Sequence, residues 1–409
     1  MCYTNRANDL CTEYVQKGWY HIVNERKTSV FSNGLLWFGA GISIAEILTG
    51  MLLAPLGFAK AFAAIILGHL IGGTVMYLAG LIGGRTGGSA METVRISFGT
   101  QGAKLFAGLN VIQLVGWTAV MVASAALAAN TIAAIGVSWW SLIIGAFIAL
   151  WIVMGLKNLS KVNVVVMAAL FILTIVLSLV VFKGGTPQVP AGDLTFGGAV
   201  ELAVAMPLSW LPIISDYTRT AEKPGLATAA SCSAYFIASS WMFLIGMGAA
   251  LFTGQDDIAA IMVQAGMGVA GILVVLLSTV TTTFLDAFSA GVSCQSLVPK
   301  VSDKVLALIA TVLGVILAIF AAPDQFQDFL YLIGSVFAPM TAILLSDFFI
   351  LKQDHTADSI NWLNLVLWVL GVALYRFLLN VDTPVGITVP VVVILMVISA
   401  LVHKVLNKA

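Results

Sequence analysis

The chain has 409 residues, of which 60% are hydrophobic and only 9% are charged, whereas about 25% of the residues of a soluble domain are charged. So few charges cannot cover the surface of a soluble protein, and 19 basic residues balanced by 19 acidic ones leave no basic surface for nucleic acid. The composition therefore predicts a protein that crosses a membrane many times. The four cysteines have neither metal-ligand nor disulfide-framework spacing; they are Cys2, Cys11, Cys232 and Cys294.

Twelve apolar stretches follow one another along the chain, each close to the roughly 20 residues that a membrane-crossing helix needs. They are continuously apolar instead of alternating, which predicts helices rather than strands. The stretches lie near 34–54, 61–83, 103–134, 138–156, 162–182, 197–215, 227–252, 262–296, 304–321, 326–350, 360–379 and 385–403. Residues 1–30 are rich in charge and contain no apolar run, so we expect a cytoplasmic tail there.

The positions of the basic residues predict the orientation. If the N-terminus is cytoplasmic, sixteen of the 19 Lys and Arg residues fall on the cytoplasmic side, and only Lys60, Lys183 and Arg376 fall outside. This bias satisfies the positive-inside rule, and the alternation behind it needs an even number of crossings. Both termini are therefore predicted to be cytoplasmic, in a membrane of the bacterial inner-membrane type.

Two spans contain residues that interrupt helices. The first span has Gly39 and Gly41, and the sixth has Pro207 and Pro212, which remove backbone hydrogen bonds from a helix interior. A single glycine in a membrane helix is often only a packing residue. Two interrupted spans five positions apart are instead typical of transporters built from inverted repeats, whose sites lie at the breaks.

This pattern predicts an all-α membrane fold with twelve helices and a 5+5 inverted-repeat core of the leucine-transporter type. Unwinding is expected near Gly39–Gly41 and Ala205–Pro207. The repeats are expected to cover residues 31–182 and 183–352, and residues 353–409 add two further helices and a short cytoplasmic end.

Three acidic residues lie inside spans and away from the span ends, namely Glu46, Glu201 and Asp286. A charge inside a membrane is costly, so such residues usually face a cavity or a partner. Glu46 and Asp286 lie deepest and are candidate substrate-binding residues; the alternative for each is a protonated or hydrogen-bonded structural acid. No Lys or Arg lies deep in the spans to neutralise them, which favours an imported cation or a protonatable ligand. His69 is expected to be a packed, neutral histidine.

Other polar and aromatic residues also lie deep in the spans. Ser278, Thr281 and Thr282 share one helix face, where hydroxyl groups opposite an unwound helix suit Na⁺; hydrogen bonds to the preceding turn are the alternative. Trp117 and Trp210 lie too deep for an interfacial belt, and a flat ligand could stack on either indole. Gln113 lies one turn before Trp117, and Ser43 lies near the break in the first span. These two residues complete the set of candidate substrate-binding residues.

Several motifs resemble the nucleobase–cation symporter-1 family over nearly all of the chain after about residue 30. They are WFGAGIS in span 1, GGRTGGSAMETVRISFG after span 2, SDYTR at the end of span 6, and APMTAILLSDFFILK at the end of span 10. The runs SIAEILTGMLLAPLGF and AMPLSWLPIISDYTR are most similar to the hydroxymethylpyrimidine permease (CytX) branch. The resemblance implies 4-amino-5-hydroxymethyl-2-methylpyrimidine as cargo.

The resemblance also implies a Na⁺ site and a substrate site. The Na⁺ ligands would be the carbonyl groups of Gly39 and Ile42 and the side chains at Ser278, Thr281 and Thr282. The family's stacking tryptophan falls on Trp117. The family's amide in span 3 falls on Met121, its second aromatic on Pro207, and its asparagine in span 8 on Ala287.

These departures from the family pattern suggest that this protein recognises its substrate through different side chains. Trp210 is the candidate replacement for the second aromatic, and Glu46 and Asp286 could accept a hydrogen bond from the amino group of an aminopyrimidine. A secondary transporter driven by Na⁺ or H⁺ is the leading hypothesis, with a cytosine, purine or allantoin permease as the runner-up. An intramembrane enzyme lacks a visible nucleophile or metal motif, and a channel does not need paired broken helices. No cofactor beyond the coupling ion, no nucleic acid and no obligate protein partner is expected.

Overall fold

The computed structural model describes residues 27–183, 185–254, 257–264, 266, 268–320 and 326–406. Nearly all of this part is helical, and its extended contact is one isolated parallel bridge between Thr28 and Ala221. The helices are α1 (Val30–Gly41), α2 (Ile44–Leu52), α3 (Gly57–Thr86), α4 (Ala90–Ile132), α5 (Val137–Val181), α6 (Phe196–Ser209), α7 (Ile214–Thr218), α8 (Pro224–Thr253), α9 (Ile258–Gln264), α10 (Gly268–Gln295), α11 (Asp303–Phe320), α12 (Phe326–Leu345), α13 (Trp362–Leu378) and α14 (Thr388–Leu406). The tail expected over residues 1–30 lies largely outside the described residues.

Within these ranges, nine helical stretches are long and apolar enough to cross a membrane, and α6 and α13 are shorter apolar helices. Helix α5 covers both the fourth and the fifth predicted spans, with separate apolar windows at Val137–Met154 and Val164–Val181. The chain is helical where the sequence predicts a loop between these two spans, because no proline there ends the helix. The total of twelve crossings stays a prediction.

The first span is divided two residues further along than the sequence predicts. Helix α1 continues to Gly41, and α2 begins at Ile44. Ser43 has extended backbone and caps α2, because its hydroxyl oxygen accepts a hydrogen bond from the amide of Glu46 at 3.3 Å. Gly39 and Gly41 do not unwind the chain. Instead they bring α1 close to its neighbours, Gly39 to Met167 of α5 and Gly41 to α8.

The sixth span is also interrupted later than predicted. Helix α6 passes through Pro207 and ends at Ser209, and α7 begins at Ile214. Pro212, four residues before Asp216, accounts for the shift: it has no amide proton and disfavours helical backbone at Leu211. The interruption therefore falls around Pro212 rather than at Ala205–Pro207.

Close packing of small residues holds α2 against α8. A Cβ atom on Gly246 would collide with the carbonyl oxygen of Ile47, and one on Gly50 would collide with the backbone of Phe243. Small residues at such contacts let helix backbones approach where there is no water to drive association. The second half of the broken first span is therefore fixed on α8.

Glu201 is a structural acid rather than part of a site. Its Oε1 accepts hydrogen bonds from the hydroxyl groups of Tyr375 and Thr388, both at 2.7 Å. Its Oε2 accepts from the backbone amides of Ile387 at 2.6 Å and Thr388 at 2.8 Å, beside the first turn of α14. Negative charge is stabilised at a helix N-terminus, so Glu201 fastens α6 to α13 and α14.

Replacing Gly246 by alanine should destabilise the protein by about 1–3 kcal/mol, because the added methyl group pushes α2 away from α8. The measurement is the thermal midpoint of the purified protein in detergent. Gly73→Ala is the matched control, since a Cβ atom there has nothing within 4 Å. An unchanged midpoint for Gly246→Ala would show that α2 is not held by this contact.

Candidate substrate and cation site

Four helices meet around one small cavity in the middle of the bundle. Its wall consists of Ser43, Ala45, Glu46, Trp117, Met121, Met206, Ser209, Trp210, Thr282 and Asp286. These residues come from the start of α2, from α4, from the end of α6 and from α10. The cavity volume is only about 10 Å³, which is room for about one water molecule. The site is closed, and a pyrimidine can enter only if the walls move.

Glu46 lies in the first turn of α2 and is 1% exposed. Its Oε1 accepts a hydrogen bond of 2.7 Å from the hydroxyl group of Tyr235 on α8. Its Oε2 makes no hydrogen bond to the described residues. A buried acceptor without a partner is costly, so this carboxyl group can bind a donor or a cation that enters the cavity.

Asp286 provides a second carboxyl group in the same wall. It is 3% exposed, and neighbouring Ala287 is also buried. Met121 of α4 lines the cavity with its thioether and offers no amide to a ligand. The polar side chains of the wall thus include two carboxyl groups and the hydroxyl groups of serine and threonine, and the indole N–H groups of Trp117 and Trp210 have no hydrogen-bond partner among the described residues.

Two tryptophans form the aromatic part of the wall. Trp117 packs edge-on against Phe326 and Phe329 of α12, with ring centroids 5.9 and 5.4 Å apart. Trp210 stands at the end of α6 and packs edge-on against Trp37 of α1 at 5.3 Å. Because α6 runs two residues beyond Pro207, Trp210 reaches the cavity at the helix end. The aromatic rings come from different helices, so a flat ring between them would be held from two sides.

Gln113 does not line the cavity. Its Nε2 donates to the carbonyl oxygen of Ser209 at 3.1 Å and to Oδ1 of Asn110 at 3.2 Å. Asn110 in turn donates to the carbonyl oxygen of Pro212 at 3.1 Å. These two amides satisfy carbonyl groups that the break in the sixth span leaves without helical partners. Gln113 therefore holds the end of α6 beside Trp210, while its Oε1 has no hydrogen-bond partner among the described residues. Its role in substrate binding stays a prediction.

The residues of the expected Na⁺ site lie at the contact of α1 and α10. The hydroxyl group of Thr282 donates to the carbonyl oxygen of Gly39 at 3.4 Å, and the amide of Ile42 donates to the same oxygen at 3.1 Å. The hydroxyl groups of Ser278 and Thr281 donate to carbonyl groups of the preceding turn. A hydroxyl group that donates its proton in this way keeps oxygen lone pairs for a cation. The described residues contain no group of three His, Cys, Asp or Glu that could hold a transition metal.

A much larger cavity of about 640 Å³ lies beside the closed site. It is bordered by α2 and α4, includes Ile44, Asp257 and Gln327, and lies on the side predicted to be outside. Phe326 lines this cavity and also contacts Trp117. The first turn of α12 therefore lines the large cavity and contacts one wall residue of the small cavity.

Hydrogen bonds join several segments at the opposite end of the bundle. Asp216 of the SDYTR motif accepts from the amide of Ala90 at 2.8 Å, and the hydroxyl group of Thr218 donates to the carbonyl oxygen of Gly80 at 2.7 Å. Thr28 pairs with Thr220 and with the amide of Glu222 through backbone hydrogen bonds of 2.9 and 3.0 Å. The chain is thus tied together on the side predicted to be cytoplasmic.

Two neighbours of the site, Tyr235 and Ser239, escaped the sequence reasoning. Tyr235 and Ser239 lie four residues apart on α8, one helical turn, and His69 of α3 bonds to Ser239. The serine and tyrosine lie in a helix that reads as an ordinary apolar span, so only their spacing could have indicated a shared face. His69 is buried, as expected, and both of its ring nitrogens make polar contacts.

A family model for permeases of cytosine/purines, uracil, thiamine and allantoin matches residues 22–402 of the chain. The cytosine permease of Escherichia coli (strain K12) is 26% identical over 352 residues, which are 83% of this chain and 83% of the permease. The putative purine-cytosine permease YxlA of Bacillus subtilis (strain 168) is 24% identical over 395 residues, which are 86% and 85% of the two chains.

Two solved structures are similar in fold. One is Mhp1, a nucleobase-cation-symport-1 family transporter in a closed conformation with bromovinylhydantoin bound, with a TM-score of 0.80 and 17% identity over 94% of each chain. The other is a Na⁺-coupled sialic acid symporter in a substrate-bound outward-open state, with a TM-score of 0.69 and 14% identity over 95% of this chain and 94% of the symporter. The predicted all-helical membrane fold is confirmed.

If the hydroxyl groups of α10 bind the coupling cation, Thr281→Ala or Thr282→Ala should weaken Na⁺-stimulated substrate binding. The loss of one of a few oxygen ligands should cost on the order of 1–3 kcal/mol, or about 5- to 150-fold in the Na⁺ concentration required. Thr283→Ala is the matched control, because Thr283 is buried on the same helix and its hydroxyl group has no partner among the described residues. Unchanged Na⁺ dependence in both variants would point to proton coupling.

Proposed function

Because the chain belongs to the family of permeases for cytosine/purines, uracil, thiamine and allantoin, we propose that it is a secondary transporter that imports a 4-aminopyrimidine together with a cation. The observation that carries this proposal is the small closed cavity, whose wall joins Glu46 and Asp286 to Trp117 and Trp210. It is a membrane transporter of this family and not an enzyme. Its cargo and its coupling ion are the parts that we propose.

A 4-aminopyrimidine matches this wall in shape and in hydrogen bonding. Its ring can stack between Trp117 and Trp210, and its amino group can donate to the free oxygen of Glu46. A protonated carboxyl group can also donate to the neighbouring ring nitrogen. The carboxyl group of Asp286 lies in the same wall and is the second candidate for this role.

The cargo proposed first is 4-amino-5-hydroxymethyl-2-methylpyrimidine, because the motifs of spans 1 and 6 are most similar to the hydroxymethylpyrimidine branch. Cytosine is the second candidate, since relatives that cover most of this chain are cytosine permeases. The two compounds share the amino group at position 4 and differ at positions 2 and 5. The carboxyl groups of the cavity would therefore bind the edge that carries the 4-amino group in both compounds.

We propose Na⁺ as the coupling ion, held by the carbonyl groups of Gly39 and Ile42 and by the hydroxyl groups of α10. Support comes from the contact between Thr282 and the Gly39 carbonyl oxygen and from the fold shared with a Na⁺-coupled symporter. Proton coupling through Glu46 is the alternative. Either ion would enter at a break, where the backbone supplies oxygen ligands without a charged side chain.

Transport then requires the closed cavity to open to each side in turn. The large cavity on one side and the hydrogen-bonded ends on the other fit a closed state that opens first toward the predicted outside. We place the protein in a bacterial-type inner membrane with both termini in the cytoplasm. The bilayer and the pyrimidine are its proposed partners, and no obligate protein partner is part of the proposal.

Transport should distinguish amino from oxo pyrimidines. Replacing the 4-amino group by a 4-oxo group turns a donor into an acceptor that faces a carboxyl group, so affinity should fall about a hundredfold. The measurement compares competition by hydroxymethylpyrimidine, cytosine and uracil against a labelled aminopyrimidine in proteoliposomes. Glu46→Ala and Asp286→Ala should each abolish or strongly weaken binding, whereas Asp193→Ala, at an exposed loop position, should not.

Equal uptake of amino and oxo pyrimidines by the unmodified protein would contradict the proposal. Retention of full binding in both alanine variants would contradict the role of the carboxyl groups while leaving the transporter assignment intact. A preference between hydroxymethylpyrimidine and cytosine of more than tenfold decides between the two cargoes.

A further inference from the structure

A cavity of about 540 Å³ lies at the end of the bundle that is predicted to face the cytoplasm. Its wall comes from the loop between α3 and α4, from the first two turns of α4 and from the segment that follows α12. The wall shares no residue with the small cavity around Glu46 and Asp286, so the two spaces are separate. Its volume falls within the range of small-molecule sites, roughly 300–1,000 Å³.

Two basic side chains of this wall have no partner in the described part of the protein. Arg95 of α4 is half-buried and Lys352 is exposed, and neither forms a hydrogen bond or an ion pair with the described residues. A guanidinium group can donate in a fork to two oxygens of one phosphate, and an ammonium group binds phosphate as a point charge. The wall therefore offers positive charge and free donors to an anion.

The two carboxyl groups of the wall are already engaged. Oε2 of Glu92 accepts a hydrogen bond of 2.7 Å from the amide of the residue that caps α4, and it lies 3.9 Å from Nη1 of Arg219, which is not part of the wall. Oδ1 of Asp354 accepts from the amide of Thr356 at 2.9 Å. With Glu92 beside Arg219, the two free cations outnumber the one remaining carboxylate, and the balance of charge in the cavity is positive.

The backbone of Lys352 supports a role for its side chain. Its φ of 54° and ψ of 40° lie in the left-handed region, and it is the one non-glycine residue of the described chain with a positive φ. Its amide donates to the carbonyl oxygen of Asp347 and closes the turn Ser346–Leu351. Glycine and asparagine adopt this conformation more readily than lysine does. A lysine held there is a candidate for a side chain that is kept for function.

We propose that this cavity is a binding site for a phosphate group, presented either by an anionic lipid headgroup or by a soluble phosphate. Arg95 and Lys352 would bind the phosphate oxygens. Basic pockets between membrane helices on the cytoplasmic side are typical headgroup sites. Phe348 lines the cavity, and Ile350, two residues along the same turn, is 52% exposed. Apolar surface that suits acyl chains therefore lies close to the charged wall, whereas a soluble phosphate needs the charged wall alone.

A phosphate bound here would connect two helices that meet again beside the transport site. Arg95 belongs to α4, and Lys352 directly follows the turn at the end of α12. Further along, Trp117 of α4 packs against Phe329 of α12 with ring centroids 5.4 Å apart. A ligand that bridges the cytoplasmic ends would hold both helices in the positions that they take in the closed form. This inference does not depend on the proposed cargo.

The test measures the thermal midpoint of the full-length protein in detergent with added probes. The probes are phosphatidylglycerol, phosphatidylcholine with the same acyl chains, and inorganic phosphate compared with chloride at equal ionic strength. A ligand that binds the folded protein raises the midpoint as its concentration rises. Phosphatidylglycerol or inorganic phosphate should raise it saturably, and phosphatidylcholine should not. A response to phosphatidylglycerol alone identifies a lipid headgroup as the ligand, and an equal response to inorganic phosphate identifies a soluble phosphate.

The double variant Arg95→Gln, Lys352→Asn should bind the active probe about tenfold more weakly, because both cations are lost. Asparagine tolerates the left-handed backbone at this position, so the turn is kept. Lys300→Gln is the matched control, since Lys300 is an exposed lysine on the same predicted side and is not part of the wall. Its affinity for the probe should equal that of the unmodified protein.

Equal affinities of the double variant and of Lys300→Gln would overturn the proposal. An unmodified protein that responds to neither phosphatidylglycerol nor inorganic phosphate would also overturn it. If the double variant does not fold, Lys352→Asn alone gives the decision. It should weaken binding about fivefold at low salt, and unchanged affinity would count against the site.

Discussion

The interruption of the helix at Ile42 and Ser43 is the constraint around which the centre of the protein is arranged. Backbone polar groups inside a membrane have no water to bond to, so a break is stable only where the protein itself supplies partners. The carbonyl oxygen of Gly39 accepts hydrogen bonds from the amide of Ile42 and from the hydroxyl group of Thr282. In the first turn of α2, the amide of Glu46 donates a hydrogen bond to the hydroxyl oxygen of Ser43. These hydrogen bonds replace the helical ones that the break removes. The cavity lies beside them, as do Glu46 and the candidate cation ligands.

The second interruption is satisfied by amides instead of hydroxyl groups. Asn110 and Gln113 lie one turn apart on α4 and donate to the carbonyl oxygens of Pro212 and Ser209. The helix that provides the stacking surface of Trp117 therefore also holds the end of α6 and with it Trp210. A movement of α4 would shift both aromatic walls together, which couples the shape of the cavity to the bundle around it.

Much of the fold could be predicted from composition and hydropathy, because continuous apolar stretches long enough to cross a membrane form helices. The family was accessible from ordered motifs, and the match of the family model confirms it, whereas the hydroxymethylpyrimidine branch and the repeat boundaries stay predictions. The break positions were displaced by a few residues. Glycine permits unwinding but also permits close packing, and only the structure shows that Gly39 and Gly41 pack while Ser43 caps.

The candidate site was predictable where depth in the membrane and chemistry coincide, as for Glu46, Asp286 and the two tryptophans. Gln113 was assigned to the substrate because an amide beside a tryptophan looks like a ligand-reading group. In the structure its amide donates to the carbonyl oxygen of Ser209 in another span and to the side chain of Asn110 on the same helix, and sequence spacing cannot show the contact between spans. The same limit hid the link between His69 and Ser239, which are 170 positions apart in the chain.

A centre that closes to the volume of one water molecule has a consequence for the membrane as a barrier. A continuous column of water through a carrier would let protons and small ions run down their gradients and would dissipate the energy that drives uptake. With the walls of Trp117, Met206 and Trp210 drawn together, no such column fits through this point. In this closed form the centre of the protein therefore leaves no path for water at the site, and the protein can stay in the membrane between transport cycles without dissipating those gradients there.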